Sequence, residues 1–82
     1  MYFVYLLKSL KDDNFYIGRT NYIDKRLLEH DTGRVKSTKH RRPLELVYYE
    51  AYANLSSSKE REKKLKQFGS AYVGLLKRLG LR

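Results

Sequence analysis

The chain has no cysteine, which excludes disulfide cross-links, Cys-based zinc sites and thiol redox chemistry together. A reducing, cytoplasmic setting is the expected home. Long hydrophobic runs are missing too. The apolar start Met1 to Leu7 has no basic segment ahead of it, is followed by charge, and is far too short to span a bilayer or form a signal core. A soluble protein with no membrane partner follows. Histidine is scarce: His30 and His40 are the only two and fall in different elements, so a zinc site built on imidazoles lacks ligands. Repeats and linkers are absent, and 82 residues leave room for one small core. The expectation is one domain over residues 1–82.

Acid is also in deficit. Nine Asp and Glu face eighteen Lys and Arg, a net charge of +9, and an imbalance of this sign suits a polyanionic partner. From Met1 to Gly33 five basic residues (Lys8, Lys11, Arg19, Lys25, Arg26) balance five acidic ones (Asp12, Asp13, Asp24, Glu29, Asp31). The surplus therefore lies further on. Arg34, Lys36, Lys39, Arg41 and Arg42 crowd one stretch with no acidic residue, and eight basic residues after Leu55 meet only Glu60 and Glu62. Mere solubility is the plainer account of the same charge.

What is present suffices for a fold: 41% of residues are hydrophobic and 13% aromatic, enough to oppose ordering entropy. Tyr2–Leu7 and Phe15–Gly18 read as strands, joined by the polar stretch Ser9 to Asn14 as a hairpin. Asn21 is the expected cap of a helix of about ten residues carrying Ile23 and Leu27, closed by Gly33. Leu44–Tyr52 reads as a third strand. Ser56 to Ser58 offers caps for a helix through Phe68, and Gly69-Ser70 separates a last helix with Tyr72, Leu75, Leu76 and Leu79 at helical spacing. The predicted class is α+β, a three-stranded antiparallel sheet flanked by helices in the order ββαβαα.

Several polar residues fall on apolar faces. At 100° per residue, Arg26 and His30 share the stripe of Ile23 and Leu27, whereas Lys25 and Glu29 lie opposite. Turning a guanidinium and an imidazole toward the sheet costs desolvation unless they have partners, as functional sites often arrange; an Arg snorkelling past a satisfied His answers the same pattern. On the next helix Glu62 borders the side of Ser58 and Leu65. A carboxylate there can hold a hard cation such as Mg²⁺, and an i,i+4 salt bridge to Lys66 explains it equally. Tyr5 and Tyr16 sit in paired strands, where tyrosines usually pack. Gly18, two residues after Tyr16, leaves a strand face open to a ligand or backbone.

Together these residues resemble the GIY-YIG nuclease superfamily, in its small standalone bacterial branch. Tyr16-Ile17-Gly18 stands as YIG, followed by Thr20, Asn21, Arg26 and His30 in the family's spacing. Phe3-Val4-Tyr5 stands at the GIY position with only the tyrosine kept, and Arg61-Glu62-x-x-Leu65-Lys66 looks like the family's Glu helix. Arg42-Pro43-Leu44 and Leu46-Val47-Tyr48-Tyr49-Glu50 extend the likeness over nearly the whole chain. The resemblance implies an endonuclease with Tyr5, Tyr16, Arg26 and His30 as catalytic residues and Glu62 holding one Mg²⁺ or Mn²⁺, leaving a 5′-phosphate and a 3′-hydroxyl. Arg26 would grip the phosphorane. Tyr5 would take a proton from water once a cation (the metal, Arg19 or Arg26) favours its phenolate.

With no appended reading domain, affinity would come from phosphate contacts by Arg19, Arg34, Lys36, Lys39, Arg41, Arg42, Lys63 and Lys66, independent of sequence and weakened by salt. The implied partner is nucleic acid, DNA favoured over RNA, bound by a monomer or weak dimer. The competing reading is a binding module that keeps the fold without turnover. A third is a membrane-surface element, since Tyr72 to Arg82 is amphipathic.

Overall fold

Three strands and three helices organise residues 1–82, all described by the computed structural model. Strand β1 (Tyr2–Ser9) is central, with β2 (Phe15–Thr20) on one side and β3 (Leu44–Tyr52) on the other, both antiparallel to it. Helices α1 (Ile23–Asp31), α2 (Leu55–Lys66) and α3 (Ser70–Arg78) complete the order ββαβαα, with a short 3₁₀ turn at Lys39–Arg41. The expected class holds.

Burial along β1 explains its position. Val4, Tyr5, Leu6 and Leu7 are all buried, and because side chains alternate, both faces of this strand are covered. Val4 and Leu6 join Ile17, Leu65, Leu75 and Leu76 in the apolar core, with Tyr48, Tyr52 and Tyr72 packed around it. Tyr5 and Leu7 point the other way, toward α1. The expected end of β1 at Leu7 falls short, because Lys8 pairs with Phe15 and Ser9 with Leu44. Between Leu6 and Leu7 the register on β3 jumps from Tyr48 to Leu46. Val47 is thus an extra residue, a bulge that bends the edge strand.

Local signals differ from expectation at three helix ends. Helix α1 starts after Tyr22, and Asn21 makes no cap; instead the Tyr22 backbone N–H donates to Thr20 Oγ1 at 3.1 Å. A threonine hydroxyl can organise such a turn as well as an asparagine can. Helix α2 is capped by Asn54, whose Oδ1 accepts from the Ser57 N–H at 2.9 Å, rather than by the serines that follow. Ser58 instead lies buried within α2 and donates to the Leu55 carbonyl. That helix stops at Lys66, short of Phe68, whose φ of 56° is incompatible with continuing it. Gly33 does close α1, with φ of 77° in the left-handed region that favours glycine.

Helix α3 buries Leu75 and Leu76 in the core, so its apolar face is already occupied. No helix is long and apolar enough to cross a membrane.

Candidate active site

The face of the sheet under α1 carries a buried cluster of a phenol and an imidazole. Strand alternation puts Tyr5 and Leu7 of β1 on this face, together with Tyr16 and Gly18 of β2, since Tyr5 pairs with Gly18 and Leu7 with Tyr16. A Cβ on Gly18 would lie 2.3 Å from the Tyr5 phenol oxygen and ring carbon. The open face expected beside Gly18 is therefore filled by Tyr5 itself: the glycine lets the tyrosine lie over β2.

There it meets α1. His30 Nε2 and the Tyr5 hydroxyl are hydrogen-bonded at 2.8 Å, and His30 Nδ1 and the Thr38 hydroxyl at 2.7 Å. Tyr16 completes the group, its ring 5.2 Å from the His30 ring and 6.5 Å from Tyr5 between centroids. Arg26, one turn before His30, lies beside the Tyr5 oxygen, and its guanidinium donates to Glu29 at 3.2 Å. The wheel placed Glu29 opposite the buried stripe, yet it is half-buried through this pairing; its i,i+3 spacing from Arg26 was the available signal.

Burial governs the electrostatics. It pushes the Tyr5 phenol up to about 12, against the pull of Arg26. The expectation that a neighbouring cation favours phenolate is thus reversed for the protein alone, because desolvation of the charged form outweighs one guanidinium. Arg19 gives no help: it follows Gly18 in β2 and so sits on the opposite face. Burial, with Arg26 adding to it, lowers His30 to about 4, so this imidazole is neutral at pH 7.

Arg19 leads to the remaining candidate. Its Nε lies 3.4 Å from Glu62 Oε1, and Lys66 Nζ lies 3.1 Å from Glu62 Oε2. The Arg19 Nε is buried and makes no hydrogen bond, so the Glu62 contact is an ion pair by distance without hydrogen-bond alignment. Arg19 and Arg26 line one open cleft of about 290 Å³ with Thr20, Asn21, Tyr22, Lys25 and Glu29. Glu62 reaches that cleft only through Arg19, and is near enough to Tyr5 for its charge to raise the phenol. The position-62 carboxylate is thus linked to residue 5 by charge and, through Arg19, to the cleft that Arg26 lines.

The basic residues divide. Arg34, Lys36, Lys39 and Lys63 are exposed. Arg41 pairs with Asp12 at 3.1 Å, and Arg42 donates to the Lys39 and Asp31 carbonyls while packing against Gly33. These last two brace the loop, although the sequence shows no acid near them in the chain.

Thr38 escaped notice in the sequence. It is fully buried along with Val35 in a stretch that reads as polar loop; no periodicity marks such a position.

The description GIY-YIG catalytic domain matches residues 1–75. The chain belongs to the GIY-YIG family. Within it the chain is similar to UPF0213 proteins of the small standalone bacterial branch. It is 38% identical over 68 residues to one from Staphylococcus saprophyticus, covering 82% of each chain. A Clostridium perfringens relative is 40% identical, with 82% of this chain and 72% of that one covered. The solution NMR structure of the UPF0213 protein BH0048 from Bacillus halodurans superposes with a TM-score of 0.59 at 30% identity, over 96% of this chain and 85% of that one. The GIY-YIG family is a nuclease superfamily whose members generally use divalent metal ions.

Proposed function

We propose that this GIY-YIG protein is a metal-dependent endonuclease that hydrolyses phosphodiester bonds in DNA with little sequence specificity, acting in the cytoplasm as one domain, monomeric or weakly dimeric. The observation that carries the reading is the His30–Tyr5 hydrogen bond beside Arg26, which lines one open cleft with Arg19, the ion-pair partner of Glu62.

The donor set fits a hard cation. Glu62 offers oxygen alone, and no group of three His, Cys, Asp or Glu gathers anywhere, which suits an ion that keeps water and takes its other ligands from substrate phosphate. Glu62 would hold it, exchanging its contacts with Arg19 and Lys66 for the ion. When bound, a divalent ion supplies positive charge for the phosphorane, the leaving 3′ oxygen and a phenolate.

The chain's own residues do the rest. Arg26 grips the phosphate oxygens with its planar fork. Tyr5 holds the attacking water; protonated in the protein alone, it first gives its own proton to an oxygen of the arriving phosphate under added positive charge, and the phenolate then takes a proton from that water. His30, neutral, keeps the Tyr5 oxygen in place, and Tyr16 walls the pocket beside both rings. Cleavage leaves a 5′-phosphate and a 3′-hydroxyl. Arg34, Lys36, Lys39 and Lys63 draw the backbone in by charge.

The two ion pairs on Glu62 favour the alternative, a binding module without turnover. Incubating the purified protein with branched, single-stranded and duplex DNA, with Mg²⁺ or chelator, separates the two. Cutting that needs metal and disappears in Glu62→Ala and Arg26→Ala supports the enzyme. Binding without cutting on every substrate supports the module.

A further inference from the structure

We infer that Thr38 is a positioning residue whose hydroxyl sets the His30 tautomer, so that Nε2–H points at the Tyr5 oxygen and the Tyr5 proton faces the substrate. The inference rests on the reading of Tyr5 and His30 given above and deepens it.

Three side chains stand in series: Thr38 Oγ1 to His30 Nδ1 at 2.7 Å, and His30 Nε2 to Tyr5 Oη at 2.8 Å. Their exposures are 0%, 1% and 1%, so water does not complete their hydrogen bonds. A neutral imidazole carries one N–H and one lone pair, which leaves two proton orders for the series. In one, Tyr5 donates to Nε2 and Nδ1–H donates to Thr38. In the other, Thr38 donates to Nδ1 and Nε2–H donates to Tyr5.

Each order leaves one hydroxyl proton without an acceptor, and the two ends are not equivalent. The Thr38 hydroxyl makes only the bond to His30 and is sealed from solvent. Stranding its proton there costs about 1–3 kcal/mol with no later relief. The Tyr5 oxygen lies beside Arg26, which lines the open cleft, where an arriving phosphate can accept a proton. The unfilled donor therefore belongs at the Tyr5 end. The same order turns Nε2–H onto the phenol oxygen, joining Arg26 in stabilising negative charge as it develops. Neutrality of the ring at working pH, which the argument needs, follows from its burial.

The tautomer can be read without substrate. Long-range ¹H–¹⁵N spectra of the ¹⁵N-labelled protein at neutral pH distinguish protonated from lone-pair ring nitrogens. His30 is expected to show a protonated Nε2 and a lone-pair Nδ1, and the reverse pattern overturns the inference. Under Mg²⁺, Thr38→Val is expected to lower kcat about tenfold, the equivalent of one hydrogen bond, with KM little changed and Thr38→Ser restoring most of the rate. Wild-type kcat in Thr38→Val overturns the positioning role, as does an equal loss in both variants, which would mark packing alone. If the wild type cuts nothing, the hydrolytic reading falls by itself, because the spectra still report the tautomer.

Discussion

Leu6 and Tyr5 are neighbours in β1, equally buried at 1%, and they belong to different worlds. Leu6 faces α2 and α3 in a cluster whose buried members are all aliphatic. Tyr5 faces α1, where a phenol, an imidazole and a threonine hydroxyl are matched end to end. One face is held by area removed from water, which forgives small changes of shape. The other depends on each donor meeting its acceptor, and a mismatch there is felt in chemistry before stability. A strand buried on both sides thus lets a small domain keep its core and its site apart by one residue.

The comparison can be broken from either side. Leu65→Ala, on the apolar face, is expected to destabilise the fold by about 2–5 kcal/mol; denaturant titration measures it, and a loss under about 1 kcal/mol would mean that this core is not where the stability lies. On the polar face, Arg26→Ala should lower the cleavage rate by about 10²–10³-fold, the scale of removing one electrostatic stabiliser. Its unfolding midpoint should stay near that of the wild type, since the side chain is partly exposed.

Gly18→Ala tests the crossing of Tyr5 over β2. The added Cβ meets the ring at 2.3 Å, so a stability loss of about 1–3 kcal/mol from overpacking should come with impaired cutting, whereas an alanine tolerated in both assays would mean that Tyr5 has another place to go.

His30 adds a pH signature. Its folded pKa, about 4, lies below the ordinary value near 6.5, so the unfolded chain binds the extra proton first. The stability held at neutral pH is therefore lost as pH falls from about 6.5 through 4, on the order of 2–3 kcal/mol. Denaturation at pH 7.5 and 4.5 should show that drop in the wild type and a smaller one in His30→Gln. The smallest effect is expected at the surface. Lys36→Ala should weaken DNA binding modestly and reduce the salt dependence by about one phosphate contact, which binding isotherms at two salt concentrations would register.

Much of this was legible from residues alone. The period-two strands, the Ile23 to His30 stripe and the Leu44–Tyr52 strand are local patterns, and local patterns survive folding because sterics and burial impose them directly. Convergence of Tyr5, Arg26 and His30 could be expected from the family's spacing. Which group caps a helix could not, because Asn54 competes with equally suitable neighbours and the winner is chosen by where the chain arrives. Thr38 was hidden for a related reason: a threonine in a basic loop becomes buried only when that loop folds over α1.

By itself the sequence determined the alternation of strands and helices, the charge surplus and the side-chain types available for phosphate chemistry, since all of these are properties of composition and spacing. Tertiary structure alone decided that Tyr5 fills the gap at Gly18, that burial outweighs Arg26 in setting the phenol, and that Glu62 shares its carboxylate between Arg19 and Lys66. Desolvation and pairing depend on distances between residues far apart in the chain, and only the folded packing supplies those distances.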